Sequence, residues 1–300
     1  MGTLKAIASD WRMAYYYGQK AIRAPWARRA LGACVAAFVP STPKITDERS
    51  TRHVDQLEKT GFSVMPEKAL SADALLAIRT YLRGKPAVDF HGSGVELDPE
   101  GAVPARFKRM AYSRQVVAGC PELVALATDP EILRAVGQYI GAVPTLSDMQ
   151  LWWTYGENNP TGEKLADDIF HRDADDLRFV KMFVYLTDAD VQSGAHCFVL
   201  GSHRSSKFTA RGALTDEQVQ TGFPQSDVMT VVGAAGTAFL EDTWGIHRPL
   251  LATEGRRLIF SAVYTLWAQV PIAKEPSGGA TVLASTAQCD PYVIRRFATS

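Results

Sequence analysis

The chain has 300 residues, of which 46% are hydrophobic and 21% charged, and its 32 basic residues balance its 32 acidic ones. This composition is typical of a globular protein with one large domain, and the neutral charge gives no support for nucleic acid as a partner. The four cysteines are scattered without a CxxC pair, which indicates reduced thiols and a cytoplasmic location. No stretch reaches the roughly 20 apolar residues that a transmembrane helix needs, and we expect no cleaved signal peptide.

Residues 1–44 are predicted to form a basic, aromatic-rich helical extension. Pro25 should separate one helix near 4–23 from a second near 26–38, because proline is tolerated only in the first turn of a helix. Residues 1–39 contain six basic residues and a single acidic one. Such a segment either packs on the core as a helical cover, which we favour, or makes peripheral contact with an anionic membrane surface.

A set of helices precedes the strand-rich half and is predicted to cover it. Asp47 can cap a helix that runs to about Thr60, and Gly61 is placed to end it. Residues 87–110 are rich in glycine and proline and, like residues 204–226, are expected to form a wall or lid of a substrate mouth. The other predicted elements of the cover are a strand at 62–65 and helices at 71–84, 121–128 and 129–140.

From Thr145 onward the pattern changes to short β-branched and aromatic runs separated by Gly, Pro, Asn and Asp. Many short strands without long helices between them predict an antiparallel double-stranded β-helix, the jelly roll of cupins. We therefore predict an α+β chain with a mainly β core flanked by N-terminal helices. Its domain at 45–300 divides into a helical cover (45–144), a jelly-roll core (145–270) and a C-terminal tail (271–300). The predicted strands are 151–155, 179–187, 196–200, 227–232, 237–241 and 257–267.

A candidate metal site begins at His171 and Asp173, two positions apart. Because an extended strand sends residues i and i+2 to the same side, their side chains can converge while Arg172 faces away. His247 lies far along the chain, and strands that wind into a barrel would bring it close. Two histidines and one carboxylate leave open positions and favour non-haem Fe(II). The same residue types also occur in catalytic zinc sites, so a zinc hydrolase or a metal-binding sensor stays an alternative.

The remaining histidines and acids near this motif are weaker candidates. His196 lies inside an apolar strand and is expected to be a hydrogen-bonded core residue. Asp175 and Asp176 could add a carboxylate, but a solvated acidic loop is favoured. Three further histidines are expected to stay outside the metal site: His53, His91 and His203.

Four segments together resemble the phytanoyl-CoA dioxygenase family of Fe(II)- and 2-oxoglutarate-dependent oxygenases: FHRDADD, FVYLTDADVQSGAHCFVLGSHR, GTAFLEDTWGIHRP and GRRLIFSAVY. The run VDQLEKTGFSVMPEKALSADALLAIRTYL is similar to the helix, strand and helix that open such proteins. The likeness covers roughly residues 54 to 267. It implies that iron is held by His171, Asp173 and His247. It also implies 2-oxoglutarate and dioxygen as co-substrates, with ascorbate as the reductant in vitro.

The family has an arginine about ten residues beyond the distal histidine, where it binds the far carboxylate of 2-oxoglutarate. Arg256 and Arg257 both stand there, and adjacent strand residues face opposite sides, so only one can reach the pocket. We favour Arg257, whose planar fork would match a carboxylate in a bidentate pair. Lys181 and Thr243 are further candidates for binding the co-substrate. The candidates for the substrate pocket are Trp152, Trp153 and Tyr155. Alternate residues of a strand face opposite ways, and the sequence does not tell which of these aromatic residues face the metal.

The resemblance implies hydroxylation of a small-molecule substrate, with release of succinate and carbon dioxide. Related halogenases have Gly or Ala in place of the carboxylate, so Asp173 favours hydroxylation over halogenation.

Overall fold

The computed structural model describes residues 12–45, 47–65, 69–90, 92–164, 168–210, 212–267 and 289–297. Eight helices lie within these ranges, and most of them precede the long strands. They are α1 (Arg12–Ala21), α2 (Pro25–Ala36), α3 (Glu48–Thr60), α4 (Ala72–Leu82), α5 (Arg114–Ala118), α6 (Pro121–Ala127), α7 (Pro130–Ile140) and α8 (Asp216–Gly222).

The described part of the chain also contains eleven strands. They are β1 (Phe62–Val64), β2 (Ala87–Asp89), β3 (Glu96–Leu97), β4 (Arg109–Ala111), β5 (Thr145–Tyr155), β6 (Phe179–Tyr185), β7 (His196–Val199), β8 (Val228–Val231), β9 (Ala238–Glu241), β10 (His247–Pro249) and β11 (Arg256–Thr265). All their pairings are antiparallel. The larger sheet has the order β1-β9-β6-β11-β5-β4-β2-β3, and the smaller has the order β10-β7-β8.

The local signals that predicted the helices of the cover operate as expected. The Asp47 side chain accepts a hydrogen bond from the backbone N of Ser50 at 2.7 Å, and Gly61 ends α3 with a φ of 78°. Ser71 caps α4 in the same way, through the backbone N of Ala74 at 3.1 Å. Both caps satisfy backbone donors that a helix start leaves free, so short polar residues define these helix boundaries.

The larger sheet separates two apolar regions. On one face, alternate residues of the central strands, such as Met182 and Leu258, pack against the helices. On the other face, Phe183, Phe239 and Ile259 belong to an aromatic interior that includes Phe198 of the smaller sheet. Stacking of side chains from both sheets in one interior is the arrangement of a jelly roll. The predicted mainly β core with N-terminal helices is therefore confirmed.

Several segments differ from the sequence-based expectation. Residues 87–110 were predicted to be loop-rich, but they contain β2, β3 and the start of β4, which extend one edge of the larger sheet. Three short elements were not predicted at all: α5, α8 and β10. Each is brief, so its local pattern is weak, and the strands are stabilised by pairing with distant partners.

The N-terminal extension packs on the barrel where the structure describes it. Gln19 donates from Nε2 to the backbone oxygen of Ala174 at 2.8 Å, and the hydroxyl of Tyr15 donates to Asp176. This contact is the arrangement expected of a helical cover, while membrane contact through residues 1–39 stays a prediction. No helix among the described residues is long and apolar enough to cross a membrane. Residues 1–11 and most of the tail, 271–288 and 298–300, lie outside the described residues, and the proposed domain boundaries stay a prediction.

Candidate active site

Three predicted ligand residues meet at one end of the barrel. One ligand atom from each of His171, Asp173 and His247 lies within 4.8 Å of the others. The Nε2 atom of His247 is 3.4 Å from Asp173 Oδ2, and that of His171 is 3.8 Å from Asp173 Oδ1. The side chains of His171 and Asp173 are 29% and 22% exposed, whereas that of His247 is 6% exposed. The group is therefore open to solvent on one side.

Main-chain hydrogen bonds bring these residues together. The backbone N of His171 donates to the carbonyl of His247, and the reverse bond is also made, each at 3.0 Å. Two positions on, the backbone N of Asp173 donates to the carbonyl of Thr243 at 2.8 Å. Segments that are distant in sequence are thus paired as neighbouring strands are, so the spacing of the site is set by the backbone.

Each histidine ring is held in place by a hydrogen bond at its Nδ1 atom, which leaves the Nε2 atom for a metal. The Nδ1 atom of His171 is 2.8 Å from the carbonyl of Ile169, and that of His247 is 3.0 Å from the carbonyl of Gly245. A carbonyl oxygen accepts hydrogen bonds only, so we assign the ring proton to Nδ1 in each case. The Nε2 atom of each ring then carries the lone pair and faces Asp173. A hydrogen bond at one ring nitrogen and a free lone pair at the other is the usual arrangement of metal-bound imidazoles.

A lysine balances the charge of the candidate ligand Asp173. Lys181 donates from Nζ to Asp173 Oδ2 at 2.7 Å and lies 2.9 Å from Asp175 Oδ2. Burial alone would raise the pKa of Asp173, but Lys181, with help from His247, lowers it well below its usual value. Asp173 is therefore held ionised. Lys181 is therefore the ion-pair partner of Asp173 and Asp175 and not an ordinary surface residue, while its contact with the co-substrate stays a prediction.

The two arginines at the start of β11 point to opposite sides of the sheet, because adjacent residues of a strand alternate between its two faces. Arg256 is on the outside, where it pairs with Glu157 and donates to the carbonyl of Gly101 at 3.1 Å. Arg257 is 2% exposed and faces the barrel interior, with its Nη2 atom 3.4 Å from Thr154 Oγ1. Its Nε and Nη1 atoms have no hydrogen-bond partner within the described structure. A buried guanidinium with free donors is suited to an anionic ligand.

The same alternation places the three aromatic residues that the sequence assigned to the substrate pocket on different faces of the sheet. Trp152 pairs with Ile259 on the barrel interior and lies 6.0 Å from the ring of Phe90. Trp153 and Tyr155 lie on the opposite face, in the core between the sheet and the helices. Only Trp152 can line the interior, so we withdraw the assignment of Trp153 and Tyr155 to the pocket.

Comparison with known proteins supplies the family. The sequence profile described as phytanoyl-CoA dioxygenase (PhyH) matches residues 57–249, which is more than half of the chain. The chain belongs to the phytanoyl-CoA dioxygenase family. Members are Fe(II)- and 2-oxoglutarate-dependent enzymes, and iron and 2-oxoglutarate are accordingly the cofactors of this chain. No curated protein sequence matches it.

The solved structures that resemble this chain in fold include the following two. The crystal structure of EctD from S. alaskensis with bound Fe is 17% identical, with a TM-score of 0.54 over 86% of this chain and 88% of that one. The non-haem alpha-ketoglutarate-dependent epimerase SnoN from nogalamycin biosynthesis is 19% identical, with a TM-score of 0.50 over 72% of this chain and 82% of that one. At these identities the likeness concerns the fold.

The donors present fit the family's cofactors. Two imidazole nitrogens and a carboxylate suit Fe(II), and the free donors of Arg257 suit the distal carboxylate of 2-oxoglutarate. Thr243 is fully buried, and its Oγ1 atom has no hydrogen-bond partner within the described residues, so it keeps a free polar group next to the site.

Sequence reasoning missed a buried pair behind His247. Glu241, at the end of β9, is fully buried, and its Oε2 atom lies 2.6 Å from His196 Nε2. Its Oε1 atom lies 3.7 Å from His247 Nδ1. The ring of His196 stacks on Phe183 with centroids 5.0 Å apart, so His196 is a core residue, as predicted, that also contacts the site. The alternation of β9 would have placed Glu241 inside the barrel once its register was known.

The aspartates that follow Asp173 are not a solvated acidic loop, so that prediction was wrong. Asp175 is paired with Lys181. Asp176 is 1% exposed and accepts hydrogen bonds from the backbone N of Leu177 at 2.7 Å and of Trp267 at 2.6 Å. Burial raises the pKa of Asp176 to about 6. Its partners come from distant segments, which the local charge pattern cannot reveal.

Proposed function

We propose that this chain is a hydroxylase that acts on a small-molecule substrate, with iron held by His171, Asp173 and His247. The buried guanidinium of Arg257 carries the proposal, because it faces the same interior as the three ligand candidates and has free donors. Donors of this kind are suited to the far carboxylate of 2-oxoglutarate. Family membership and this arginine therefore favour the oxygenase over the zinc and sensor alternatives.

When bound, iron and 2-oxoglutarate supply the activation of dioxygen, so that one oxygen atom enters the substrate while the keto acid becomes succinate and carbon dioxide. The protein's part is to orient these groups. The two imidazoles are held by their Nδ1 hydrogen bonds, and Lys181 keeps Asp173 ionised. Arg257 would bind the far carboxylate of the keto acid, while Arg256, on the outer face, would make no contact with it.

The exposed side of the site is where the substrate is expected to enter. His171 and Asp173 are partly open to solvent, whereas His247 is closed off by Glu241 and the aromatic interior. Trp152 remains the proposed aromatic wall of the pocket. Hydroxylation is the proposed outcome because Asp173 supplies the carboxylate that halogenases of this type lack.

The experiment uses protein purified without oxygen and reconstituted with Fe(II). We expect one bound Fe(II) per chain and, once dioxygen and ascorbate are added, slow formation of succinate from 2-oxoglutarate even without substrate, because ascorbate then supplies the electrons that the substrate would otherwise give. His171→Ala and Asp173→Ala should each lose Fe(II) binding and succinate formation. Retention of full turnover by either variant would exclude the proposed ligand set.

A metal exchange distinguishes the alternatives. Protein loaded with Zn(II) should form no succinate, and reloading with Fe(II) should restore it. Hydrolytic activity with Zn(II) and no oxidation of 2-oxoglutarate with Fe(II) would favour the zinc hydrolase instead.

A further inference from the structure

We propose that Arg28, in the N-terminal extension, is a positioning residue of the metal centre. It connects the two loops that carry the proposed ligands, and it thereby holds them at the spacing that the metal requires. The inference rests on the proposed function, since it presupposes that Asp173 and His247 bind the ion. Arg28 lies well before the region that matches the family profile, which begins at residue 57, so this device is additional to the matched domain.

Arg28 touches both ligand loops from one buried position. It lies in α2 and is 2% exposed. Its guanidinium carbon is 3.9 Å from the ring centroid of Trp244, which precedes His247 by three positions. Its Nη2 atom donates to the backbone oxygen of Asp176, which follows Asp173 by three positions. One rigid planar group thus bridges the loop after the first two ligands and the loop before the third.

The guanidinium is in turn fixed by the end of α1. Its Nη1 atom donates to the carbonyl of Ile22 at 3.0 Å and to that of Gln19 at 3.3 Å. The side chain of Gln19 then donates to Ala174 at 2.8 Å, and Tyr15 donates to Asp176. Burial lowers the pKa of Arg28 to about 10, which leaves it cationic at neutral pH. The extension therefore holds the loop after Asp173 at several points.

The metal motif itself supplies a second arginine to the same tryptophan. Arg172, between His171 and Asp173, lies 5.7 Å from the Trp244 ring and donates to its backbone oxygen. It also donates to the carbonyl of Ser202 at 3.0 Å. Trp244 is therefore held by one guanidinium from the segment that carries His171 and Asp173 and by another from the extension. Loss of the latter leaves the loop before His247 with fewer contacts.

A loosened loop should weaken metal binding, because the ligands must then be ordered when the ion binds. Changes to residues that orient ligands typically cost about 10–100-fold in metal affinity. Backbone pairing between residues 171–173 and 243–247 does not involve the Arg28 side chain, so we expect it to persist in an Arg28 variant. We therefore expect an effect near the lower end of that range.

The test measures the dissociation constant of Fe(II) without oxygen, in the full chain. Arg28→Ala should raise it about 10-fold. Arg28→Lys should recover little of this loss, because an ammonium retains the charge but lacks the planar group that stacks on Trp244 and forks between carbonyls. The matched control is Arg29→Ala, the next residue of the same helix. Arg29 makes a partly exposed pair with Glu58 at 2.9 Å and should change the constant less than about twofold.

A second measurement separates positioning from folding. The thermal unfolding of each metal-free variant is recorded, and binding is measured well below the transition. A lowered transition with an unchanged dissociation constant would show that Arg28 only stabilises the fold. An equal loss of affinity in Arg29→Ala would also overturn the inference, since it would reflect a general loosening of α2.

Trp244→Leu provides an independent variant if Arg28→Ala does not fold. It removes the ring on which Arg28 stacks and should raise the dissociation constant similarly, whereas an unchanged constant would contradict the inference. Failure of the wild-type chain to bind Fe(II) would instead remove the proposed function, and this inference with it.

Discussion

The two faces of the eight-stranded sheet differ in what their buried positions contain. Toward the helices, the central strands present apolar side chains such as Leu240 and Phe260, which pack into a continuous core. Toward the barrel interior, the same strands present Lys181, Glu241 and Arg257, all of them buried or nearly so. Charged groups are costly to bury unless they are paired or meet a ligand. The helix-facing side thus carries a continuous apolar core, whereas the interior-facing side combines an aromatic core with buried charged groups.

Adjacent residues on one strand therefore provide matched pairs of variants, because the two members differ in face but hardly in position. Trp152 and Trp153 form one such pair, and Arg256 and Arg257 form another.

The largest expected effect is on stability. Trp153→Ala should destabilise the protein by about 3–5 kcal/mol, the usual cost of removing a large aromatic side chain from a packed core. Trp152→Ala should cost clearly less, since Trp152 is only partly buried and faces the interior. Denaturant unfolding followed by circular dichroism measures both. Equal losses would indicate that the two faces are packed alike.

The second effect concerns the co-substrate. Arg257→Ala should raise the dissociation constant of 2-oxoglutarate about 100-fold, equivalent to about 3 kcal/mol, because a buried charge pair loses one partner. Arg256→Ala should change it less than about threefold, since its guanidinium pairs with Glu157 on the outside. Calorimetry with the metal-loaded protein measures both constants. The opposite ranking would assign the co-substrate to Arg256.

The smallest effect tests a polar contact on the helix side. His53 Nδ1 lies 2.7 Å from Ser63 Oγ, and burial, followed by the charges of Arg49 and Arg52, lowers the pKa of His53 below its ordinary 6.5. The unfolded chain therefore binds a proton before the folded one does. The stability that neutral His53 contributes is present above pH 6.5 and is lost as the pH falls toward the folded-state pKa.

His53→Gln should accordingly lose less stability than the wild-type chain between about pH 7 and pH 5. Urea unfolding at the two pH values provides the comparison. Parallel losses in both proteins would mean that His53 does not titrate in this range.

Local signals in the sequence predicted much of this fold. Asp47 and Gly61 mark the ends of a helix through contacts within a few residues, so their meaning does not depend on the rest of the chain. The convergence of His171 and Asp173 was predicted from strand geometry; neither residue belongs to a strand, but the backbone N of each is hydrogen-bonded to the segment that carries His247. The position of His247 required a further assumption, that the intervening strands form a barrel.

Features that depend on register could not be predicted. Whether Trp152 or Trp153 faces the barrel interior is decided by the pairing of β5 with β11, in which Trp152 lies opposite Ile259. A shift of one residue would exchange the two faces. Asp176 is a similar case, since its partners Tyr15 and Trp267 are remote in sequence.

The mutual backbone hydrogen bonds of His171 and His247 bear on how the protein acquires its ion. These bonds join main-chain atoms and do not themselves involve a metal, so we expect the backbone of the two ligands to be paired before an ion arrives. A site of this kind accepts Co(II), Ni(II), Cu(II) or Zn(II) as readily as Fe(II), and affinity alone favours several of them over iron. The ion that occupies the site then depends on which metal ions are available to the protein. Protein isolated with the wrong ion should regain activity after chelation and addition of Fe(II), with no need for refolding.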